Sequence, residues 1–576
     1  MIRDPKTLTS RTWDVLVVGG GIAGAWIALD ASLRGLSVAL IEAADFGSGA
    51  SANSLKILHG GLRYLRSGQV SRLRRAALET AILQRAAPHM VRPLPVLVAT
   101  TGIGVRSKTA LRAALHTQRL LARGPLKRHG LPSPPVGRIL PLSAFPEFKA
   151  AIAGSGTTEG AVWYDAQIRN SERLVLSVLQ TAAEQGAVLT NHVKATSLLS
   201  DGEVARGALV TDRLSGEEFS ISSRIVANAA GASALRLAAT LPGFTMSERS
   251  PFRALAWNLV LDRRPGPVAV GFQSRRHTPS SELLGDARYL FIVPWENHTL
   301  LGTGYRLVPS SEGQRRSGEH RVRPADLEGL IAEARASAPA LDLSWNEVSQ
   351  AHRGLLPVKD GLESGRATFP AEADHVIDHA SRGSPGVVTV ILAKYTTARA
   401  AAERAVDVIV ERLGYASRVC VTATTPIWGG EQPIPSSEDV SRLVRSRFGE
   451  DQNPAVTRRL LAAYGSRLSE VMRAGTGSSS ASVTAGSSLL ATEVIHAVRN
   501  EMGCTLEDVL FRRVGLGAAG CPSRRVLADM AAVMAEELGW DHGRLTDEVR
   551  TCLECFDPFP CPTVGEVLSA RTLPLR

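Results

Sequence analysis

A glycine turn near the start of the chain constrains the fold more than any other stretch. Residues 13–18 are apolar and predict a buried strand, GGGIAG follows at 19–24, and an alanine-rich helix leads to a second strand at 37–41 that ends on Glu42. The first glycine makes the turn, the second lets backbone approach a pyrophosphate, and the third lets helix and strand pack closely. With its terminal acid, the unit predicts an adenine dinucleotide site and not a purely structural turn.

The chemistry of this unit indicates which residues contact the dinucleotide. The helix N-terminus offers amide donors and a favourable dipole to phosphate, and the Glu42 carboxylate can accept from both ribose hydroxyls. After Glu42 the chain runs into glycine, serine and basic residues, where an NAD domain would continue into further strands and helices. The predicted contacts in this unit are Gly19, Gly21, Ile22, Ala23, Gly24, Glu42 and Ala43.

Length and composition are those of a multidomain globular protein. The chain has 576 residues, 44% of them hydrophobic, which is enough to bury the cores of about two or three domains. Every apolar run is broken before the ~20 residues that cross a bilayer, and the N-terminal MIRDPKTLTSRTWD lacks the apolar core of a signal peptide. We therefore expect a cytoplasmic protein.

The net charge of +11 favours anionic partners such as phosphorylated metabolites, acidic lipid headgroups or nucleic acid. Of these partners we expect a small anionic substrate and no nucleic acid. Part of the basic excess lies between positions 101 and 130, where Leu111, Leu115 and Leu121 also give a partial apolar helix face. Such a helix can lie on the inner face of a membrane or pack on its own domain, and the leucine spacing leaves both open. The basic residues are Arg106, Lys108, Arg112, Arg119, Arg123, Lys127 and Arg128.

Six cysteines are few for this length and are typical of a reducing compartment. Cys552, Cys555 and Cys561 cluster near the C-terminus, and Cys521 could supply a fourth thiolate to a zinc or iron–sulfur site. Clustered thiols without an obvious partner are more often free. We therefore predict no metal.

Residues 42–65, EAADFGSGASANSLKILHGGLRYL, resemble the segment after the first ribose acid in FAD-dependent glycerol-3-phosphate dehydrogenases, a branch of the D-amino-acid-oxidase-like flavoproteins. VANAAG at 226–231 and KYTTAR at 394–399 resemble the family's strand end and strand-to-helix turn at the FAD. AVRNEMGCTLEDVLFRRVGLG at 497–517 is similar to its C-terminal helical domain. The resemblance covers most of the chain and implies an FAD-dependent oxidoreductase.

The implied fold combines α/β and α+β parts: a Rossmann-like FAD-binding domain, an inserted antiparallel-sheet substrate domain and a C-terminal helical domain. Alternating apolar stretches such as 256–261 and 289–293 favour antiparallel strands in the inserted domain. We predict the FAD-binding domain at 10–100, 155–240 and 350–415, a basic helical insertion at 101–154, the substrate domain at 245–350 and the helical domain at 430–576. A homodimer is left open.

The resemblance also implies further FAD contacts at the pyrophosphate, at a strand end and under the flavin. They are Ser51, Ser54, Lys56, Ala230, Gly231, Lys394, Tyr395, Thr396 and Thr397. The pair Thr396 and Thr397 opens a long helix, whose N-terminus can stabilise the negative charge that a reduced flavin gathers near N1 and O2. The same two threonines could serve only as helix caps.

The HGGLRY segment at 59–64 is predicted to face the substrate. A phosphate monoester requires several cations, and Arg63 with Tyr64 is the best pair here. The implied reaction is oxidation of a secondary alcohol, in which His59 accepts the hydroxyl proton while the hydride passes to flavin N5. Lys394 would polarise the substrate oxygen or hold the flavin. A lone histidine can instead be structural, and electrons would leave through a membrane quinone or dioxygen.

Three departures from the family pattern surround the predicted flavin. Leu356 stands where the family has an arginine, Leu392 and Ala393 replace paired glycines, and Tyr305 replaces a carboxylate. Loss of a cation that pairs with a buried anion typically costs about 2–5 kcal/mol, so either another cation substitutes or the substrate carries less charge.

The candidate cations are Arg353, Arg253 and Lys359, and we predict Arg353 and Tyr305 as additional substrate contacts. The departures leave two alternatives open. The chain could oxidise an amine or another hydroxy compound, or it could bind flavin without turnover.

Overall fold

A computed structural model describes residues 1–100, 102, 104–145, 158–241, 252–275, 288–309, 322–358, 374–392, 394–416, 418–448, 454–475 and 489–570. Two sheets stand side by side. The first contains β1 (Trp13–Val18), β2 (Val38–Ile41), β7 (Val188–Thr190), β8 (Val193–Asp201), β9 (Val204–Asp212), β10 (Glu218–Asn228), β16 (His375–Asp378) and β17 (Val387–Ile391).

The centre of the first sheet is parallel and runs in the order β17-β10-β1-β2-β7. The strands β1 and β2 are almost continuously apolar because helices cover both faces of this sheet. The helices α1 (Ile22–Leu33), α4 (Ser171–Glu184) and α7 (Ala398–Leu413) bury their apolar sides in one cluster with β1 and β2. The predicted Rossmann-like domain is confirmed.

The second sheet is mostly antiparallel. Its strands are β3 (Ile57–Leu58), β4 (Val91–Ala99), β5 (Arg138–Pro141), β6 (Glu159–Ile168), β11 (Phe252–Leu261), β12 (Ala269–Gln273), β13 (Tyr289–Trp295), β14 (His298–Pro309) and β15 (Val348–Pro357). They run in the order β15-β11-β14-β13-β12-β4-β6-β3, with β5 beside β6. The helix α6 (Pro324–Ser337) packs on this sheet.

The second sheet also takes strands from outside the predicted substrate domain. The substrate domain was predicted at 245–350, but β3, β4, β5 and β6 also belong to this sheet although they lie at 57–168 in the chain. The strand β4 pairs along its whole length with β6. Pairing between segments far apart in sequence leaves no local signal, so the apolar pattern finds strands without assigning them to a sheet.

Helices make up most of the described C-terminal part. They are α8 (Ser437–Phe448), α9 (Pro454–Tyr464), α10 (Leu468–Arg473), α11 (Ala491–Glu501), α12 (Arg524–Leu538), α13 (His542–Glu554) and α14 (Val564–Ser569), with a π-helical turn at Asp508–Arg513. Two buried ion pairs, Arg173–Glu501 and Arg513–Asp45, attach this part to the first sheet.

The cysteines differ from the prediction in one respect. Cys521 and Cys561 form a disulfide across 40 residues, so the expectation that Cys561 is a free thiol is wrong, and neither sulfur is available to the metal site that the sequence left as an alternative. Cys552 and Cys555 are free and buried. The reason is tertiary: the turn after residue 516 lies against the start of α14, and the sequence spacing alone does not indicate this.

The basic segment forms α3 (Lys108–Arg128), which packs on α2 (Val70–Ala86) through Leu126 and Ala122. Packing on its own domain is therefore confirmed for the apolar side of α3. The basic side is exposed, together with Leu120. Among the described residues, no helix is both long and apolar enough to span a membrane.

Candidate active site

A cleft of about 1220 Å³ runs between the two sheets, from Glu42 at one end to Lys394 at the other. Its walls bring together residues that are scattered over the chain. The predicted residues that line it are Gly19, Gly21, Ile22, Ala23, Glu42, Ala43, Ser51, Ser54, His59, Arg63, Tyr64, Ala230, Gly231, Tyr305, Arg353, Lys394, Tyr395, Thr396 and Thr397.

The glycine turn joins β1 to α1 at the floor of the cleft. Gly19 has a φ of +111°, and a Cβ there would lie 2.5 Å from the Ala229 carbonyl oxygen. A Cβ on Gly24 would lie 1.8 Å from the Gly19 carbonyl oxygen. Gly24 does not line the cleft, so its role is the close packing of α1 on β1, as expected for the third glycine of the motif.

Glu42 directly follows β2 and is held by backbone amides. Its Oε2 accepts from the Gly20 N–H at 2.7 Å and its Oε1 from the Ala44 N–H at 2.9 Å. Burial raises the pKa of Glu42 above its usual range, against the effect of the two N–H donors. A carboxylate fixed in this way presents its remaining lone pairs to one end of the cleft.

Lys56 is not a cleft residue, which corrects the prediction that it lies beside the pyrophosphate and the ring. Its side chain is fully buried. The Nζ donates to the Ala52 carbonyl oxygen at 2.8 Å, to Ser171 Oγ at 2.8 Å and to the Glu172 carboxylate at 2.8 Å. The partner that draws Lys56 inward lies 116 residues further along the chain, so inspection of the local motif does not indicate it.

At the Lys394 end, two cations converge on one phenol. Lys394 Nζ donates to Tyr64 Oη at 2.6 Å, and Arg63 Nη2 donates to the same oxygen at 3.3 Å. Burial opposes the shift, but the charge of Arg63 and the hydrogen bond from Lys394 lower the pKa of Tyr64 below its usual range. Burial and the charge of Arg63 likewise lower the pKa of Lys394. This trio forms a cationic corner of the cleft.

The strands β11 and β14 contribute Tyr305 and the polar pair Asn258 and Thr303 to the cleft lining, and this pair was not predicted. Thr303 Oγ1 donates to Asn258 Oδ1 at 2.7 Å, and Arg288 Nη1 donates to the Thr303 carbonyl oxygen at 2.7 Å. Burial raises the pKa of Tyr305, so its phenol stays protonated near neutrality. A polar residue inside a strand that is otherwise buried, such as Asn258 in β11, is the sequence signal that could have found this pair.

Arg353, a candidate for the missing cation, contacts both the cleft and the C-terminal part. It lines the cleft, but its guanidinium donates to the carbonyl oxygens of Cys555 at 3.0 Å and Asp557 at 3.3 Å in the C-terminal part. These two bonds direct its guanidinium toward the C-terminal part, and its contact with the substrate stays a prediction. Arg253 is buried in β11 outside the cleft lining, and Leu356 lines the cleft.

Leu392 also lines the cleft and makes the wall near Lys394 apolar. Ala393 and Lys359, which were named with it in the prediction, lie outside the described residues.

The turn at Tyr395–Thr397 precedes α7 at the floor of the cleft. Thr397 occupies the N-cap position without making a capping hydrogen bond, so the interpretation of both threonines as mere helix caps is not supported at Thr397. The Tyr395 hydroxyl donates to the Ser171 carbonyl oxygen at 3.0 Å and fixes the turn to α4.

The sequence prediction missed a carboxylate, that of Asp165, which contacts His59. Asp165 Oδ2 lies 3.1 Å from His59 Nδ1. The signal was available as a single acid in the buried stretch of β6, but its partner could not be identified without the pairing of the strands.

Comparison with known proteins agrees with this geometry. Residues 14–399 match the family described as FAD dependent oxidoreductase, and residues 420–545 match the C-terminal domain of alpha-glycerophosphate oxidase. A glycerol-3-phosphate dehydrogenase 1 from Mycobacterium bovis is 30% identical over 89% of this chain and 93% of its own length. The chain belongs to the FAD-dependent glycerol-3-phosphate dehydrogenase family.

Other members support the same placement. A glycerol-3-phosphate dehydrogenase from Synechocystis is 28% identical over 95% of this chain and 97% of its own length. The solved structure of the glycerol-3-phosphate dehydrogenase from Bacillus halodurans, complexed with FAD, superposes with a TM-score of 0.71 at 23% identity, covering 96% of this chain and 95% of that chain. At that identity the superposition shows that the fold is shared.

The residues of the cleft fit the cofactor of the glycerol-3-phosphate dehydrogenase family. The buried carboxylate of Glu42 suits ribose hydroxyls, and the N-terminus of α1, where Ser51 Oγ accepts from the Ile22 N–H at 3.0 Å, suits the pyrophosphate. The uncapped start of α7 offers amides for the electron-rich edge of the flavin. The cleft therefore has a suitable group for each part of FAD.

Proposed function

We propose that this enzyme oxidises the secondary alcohol of sn-glycerol 3-phosphate to the ketone. The observation that supports this best is the cationic corner formed by Arg63, Tyr64 and Lys394 at the flavin end of the cleft. A doubly charged phosphate is costly to desolvate unless several donors pair with it, and the Arg63 guanidinium can donate in a fork. The corner therefore orients a phosphorylated alcohol with its carbon atoms toward the flavin.

FAD, when bound, supplies the acceptor of the hydride. His59 accepts the hydroxyl proton at Nε2, so that the oxygen can form the carbonyl as the hydride leaves the carbinol carbon. Lys394 donates to the phosphate or to the substrate oxygen. The apolar Leu356 and Leu392 exclude water from the same end of the cleft.

A second candidate is an amine or another hydroxy compound with less negative charge. The observation that favours it is the pairing of Leu356 with Tyr305 in the cleft wall, where the family pattern has an arginine and a carboxylate. An apolar wall accommodates an uncharged end of a substrate, whereas a second arginine would favour a negatively charged one.

Anaerobic addition of substrates to the FAD-loaded protein separates these functions. We expect sn-glycerol 3-phosphate to bleach the visible flavin band, with glycerol as the matched control that lacks the phosphate. Bleaching only by an amine or by an unphosphorylated alcohol would establish the second candidate. A flavin that no tested compound reduces would indicate a flavoprotein without turnover.

We also propose that α3 binds an acidic membrane surface and brings the cleft close to a quinone, in preference to dioxygen, as electron acceptor. Its exposed side carries Arg112, Arg119 and Arg123 with Leu120, which is 70% exposed. The helix lies next to the active site, since Gln118 Nε2 donates to the Gly60 carbonyl oxygen at 3.4 Å. Basic residues beside an apolar side chain suit an anionic lipid surface.

Sedimentation with vesicles that contain acidic lipid tests this binding. We expect the protein to pellet at low salt and to be released at high salt, because exposed charges are screened within about 10 Å at 0.1 M. The variant Arg112→Ala/Arg119→Ala/Arg123→Ala should stay in the supernatant, whereas equal pelleting of both proteins would contradict the proposal.

A further inference from the structure

His59 is held by a carboxylate that the mechanism above does not use. The Asp165 side chain is 5% exposed, and its Oδ2 lies 3.1 Å from His59 Nδ1. Its Oδ1 accepts from the Gly60 N–H at 2.9 Å. One carboxylate thus fixes both the imidazole ring and the glycine backbone that follows it.

The sheet sets this contact. In the antiparallel pair of β3 and β6, Ile57 lies opposite Gln167 and Leu58 opposite Ala166. Continued by one residue, this register places His59 opposite Asp165. Directly opposed residues project from the same face of a sheet and lie close enough for their side chains to interact. The two residues are therefore neighbours because of the strand pairing, and a rigid element supports them.

Asp165 has few other partners. Within the described part of the chain, no lysine or arginine forms an ion pair with it. A buried carboxylate is unfavourable unless it is paired or hydrogen-bonded, so its two bonds to His59 and Gly60 account for its position. Because a carboxylate only accepts, the imidazole proton is held on Nδ1. The lone pair then remains on Nε2, on a ring that lines the cleft.

We propose that Asp165 is the positioning residue that makes His59 the proton acceptor of the reaction. This inference rests on the proposed function, in which the substrate hydroxyl loses its proton. The O–H proton passes to His59 Nε2, the C–H hydride leaves with its electron pair for the flavin, and a C=O bond forms. Asp165 keeps the Nδ1 proton in place and stabilises the imidazolium that results, without itself taking up a proton.

The variant Asp165→Asn separates this role from a structural one. Asparagine retains an oxygen that can accept from the Gly60 N–H, but its amide can donate to Nδ1 and so move the ring proton to Nε2. We expect kcat with sn-glycerol 3-phosphate to fall by about 10²- to 10⁴-fold, with KM changed by less than about threefold. The FAD content should be unchanged, and Asp165→Glu should recover part of the loss. Glu159→Gln, on the same strand, is the matched control and should keep wild-type kcat.

A double variant tests whether Asp165 acts through His59. If it does, His59→Gln/Asp165→Asn should be no slower than His59→Gln alone to within about threefold, because groups that act as a unit are not additive. A further large loss in the double variant, or wild-type kcat in Asp165→Asn, would overturn the proposal.

A measurement without substrate tests the positioning role of Asp165 separately from the proposed oxidation of sn-glycerol 3-phosphate. Diethyl pyrocarbonate modifies the unprotonated imidazole nitrogen, and mass spectrometry of the FAD-loaded protein reports the rate at His59. We expect slower labelling of His59 in Asp165→Asn than in the wild type and in Glu159→Gln. Equal labelling would contradict the positioning role whatever the substrate is. A wild type that sn-glycerol 3-phosphate does not reduce would contradict only the proposed function.

Discussion

At the scale of single residues, Arg63 and Lys56 belong to the same motif region but lie in different environments. Arg63 reaches the cleft and lies with its Cζ 5.1 Å from the centre of the Tyr64 ring. Lys56, seven positions earlier, is buried against Glu172. The difference comes from where the compensating negative charge lies: Glu172 supplies it inside the protein for Lys56, whereas the partner that we propose for Arg63 is the substrate.

Replacement of Arg63 should weaken substrate capture. We expect Arg63→Ala to lower kcat/KM for sn-glycerol 3-phosphate by about 10- to 10²-fold, mainly through KM, since the loss of a partner from a partly exposed charge pair costs about 1–3 kcal/mol. Steady-state kinetics checks this, with Arg206→Ala as a control at an exposed arginine on β9. An unchanged KM would show that the substrate phosphate lies elsewhere.

Replacement of Lys56 should affect stability and not substrate binding. Lys56→Met leaves the Glu172 carboxylate buried without its ammonium partner, which typically costs about 3–5 kcal/mol. We expect a clear drop in the thermal midpoint of the holoprotein, with recovery in Lys56→Met/Glu172→Gln because the second change removes the unpaired charge. If Lys56→Met raised KM and left the thermal midpoint unchanged, the result would indicate that Lys56 contacts the substrate in the cleft.

At the scale of elements, the strand-to-helix joint of β1 and α1 is the part that the sequence determines most fully. Gly19 and Gly24 have to be glycines because a Cβ on either residue would lie too close to backbone atoms, and not merely to flexible side chains. Backbone cannot yield as a side chain can, so even a methyl group there has to displace the helix.

A single methyl group at this joint should therefore abolish cofactor binding. In Gly24→Ala the new Cβ would lie 1.8 Å from the Gly19 carbonyl oxygen, and α1 would have to shift away from the predicted pyrophosphate position. We expect purified Gly24→Ala to contain little or no FAD by absorbance. Gly329→Ala, in α6 where nothing lies within 4 Å of the new Cβ, should keep full FAD content, and a yellow Gly24→Ala protein would contradict the close packing.

The KYTT turn was predicted from the resemblance to the family. The glycine turn and the acid at Glu42 were predictable because local sequence encodes them: each needs a particular residue type at a fixed spacing. The placements of Lys56, Arg353 and Asp165 were not, because each depends on a partner that is distant in sequence. Glu172 lies 116 residues from Lys56, and Cys555 lies 202 residues from Arg353. The same limit explains why the sequence did not indicate that β4 and β6 pair with each other in the second sheet.

At the scale of the whole molecule, the C-terminal helices fix both sheets to each other. Arg512 donates to the Asp45 carboxylate at 2.6 Å, three residues after Glu42. On the second sheet, His352 Nε2 lies 2.8 Å from the Ala518 carbonyl oxygen, and Ser349 Oγ donates to the Ala519 carbonyl oxygen at 2.7 Å. These contacts lie at both sides of the cleft, so the C-terminal part stabilises its shape.

Buried histidines near these junctions predict how stability depends on pH. Burial lowers the pKa of both His89 and His352 from about 6.5 to about 4. The unfolded chain therefore binds these protons at higher pH than the folded protein. Stability is at its full value above pH 6.5 and is lost as the pH falls toward 4, by at most about 3 kcal/mol for each histidine.

Thermal midpoints of the holoprotein measured between pH 7 and about 4.5 check this prediction. The curve for His89→Gln should be flatter than that of the wild type, because glutamine does not titrate. Parallel curves would show that His89 is not kept neutral by burial.

The most direct test of the central claim is the rate of flavin reduction in anaerobic stopped-flow experiments with sn-glycerol 3-phosphate and with glycerol. The cationic corner of Arg63, Tyr64 and Lys394 predicts fast reduction by the phosphate ester, slow reduction by glycerol, and loss of most of this difference in Arg63→Ala. Equal rates of flavin reduction by both alcohols in the wild type would contradict a phosphate-binding site at this end of the cleft.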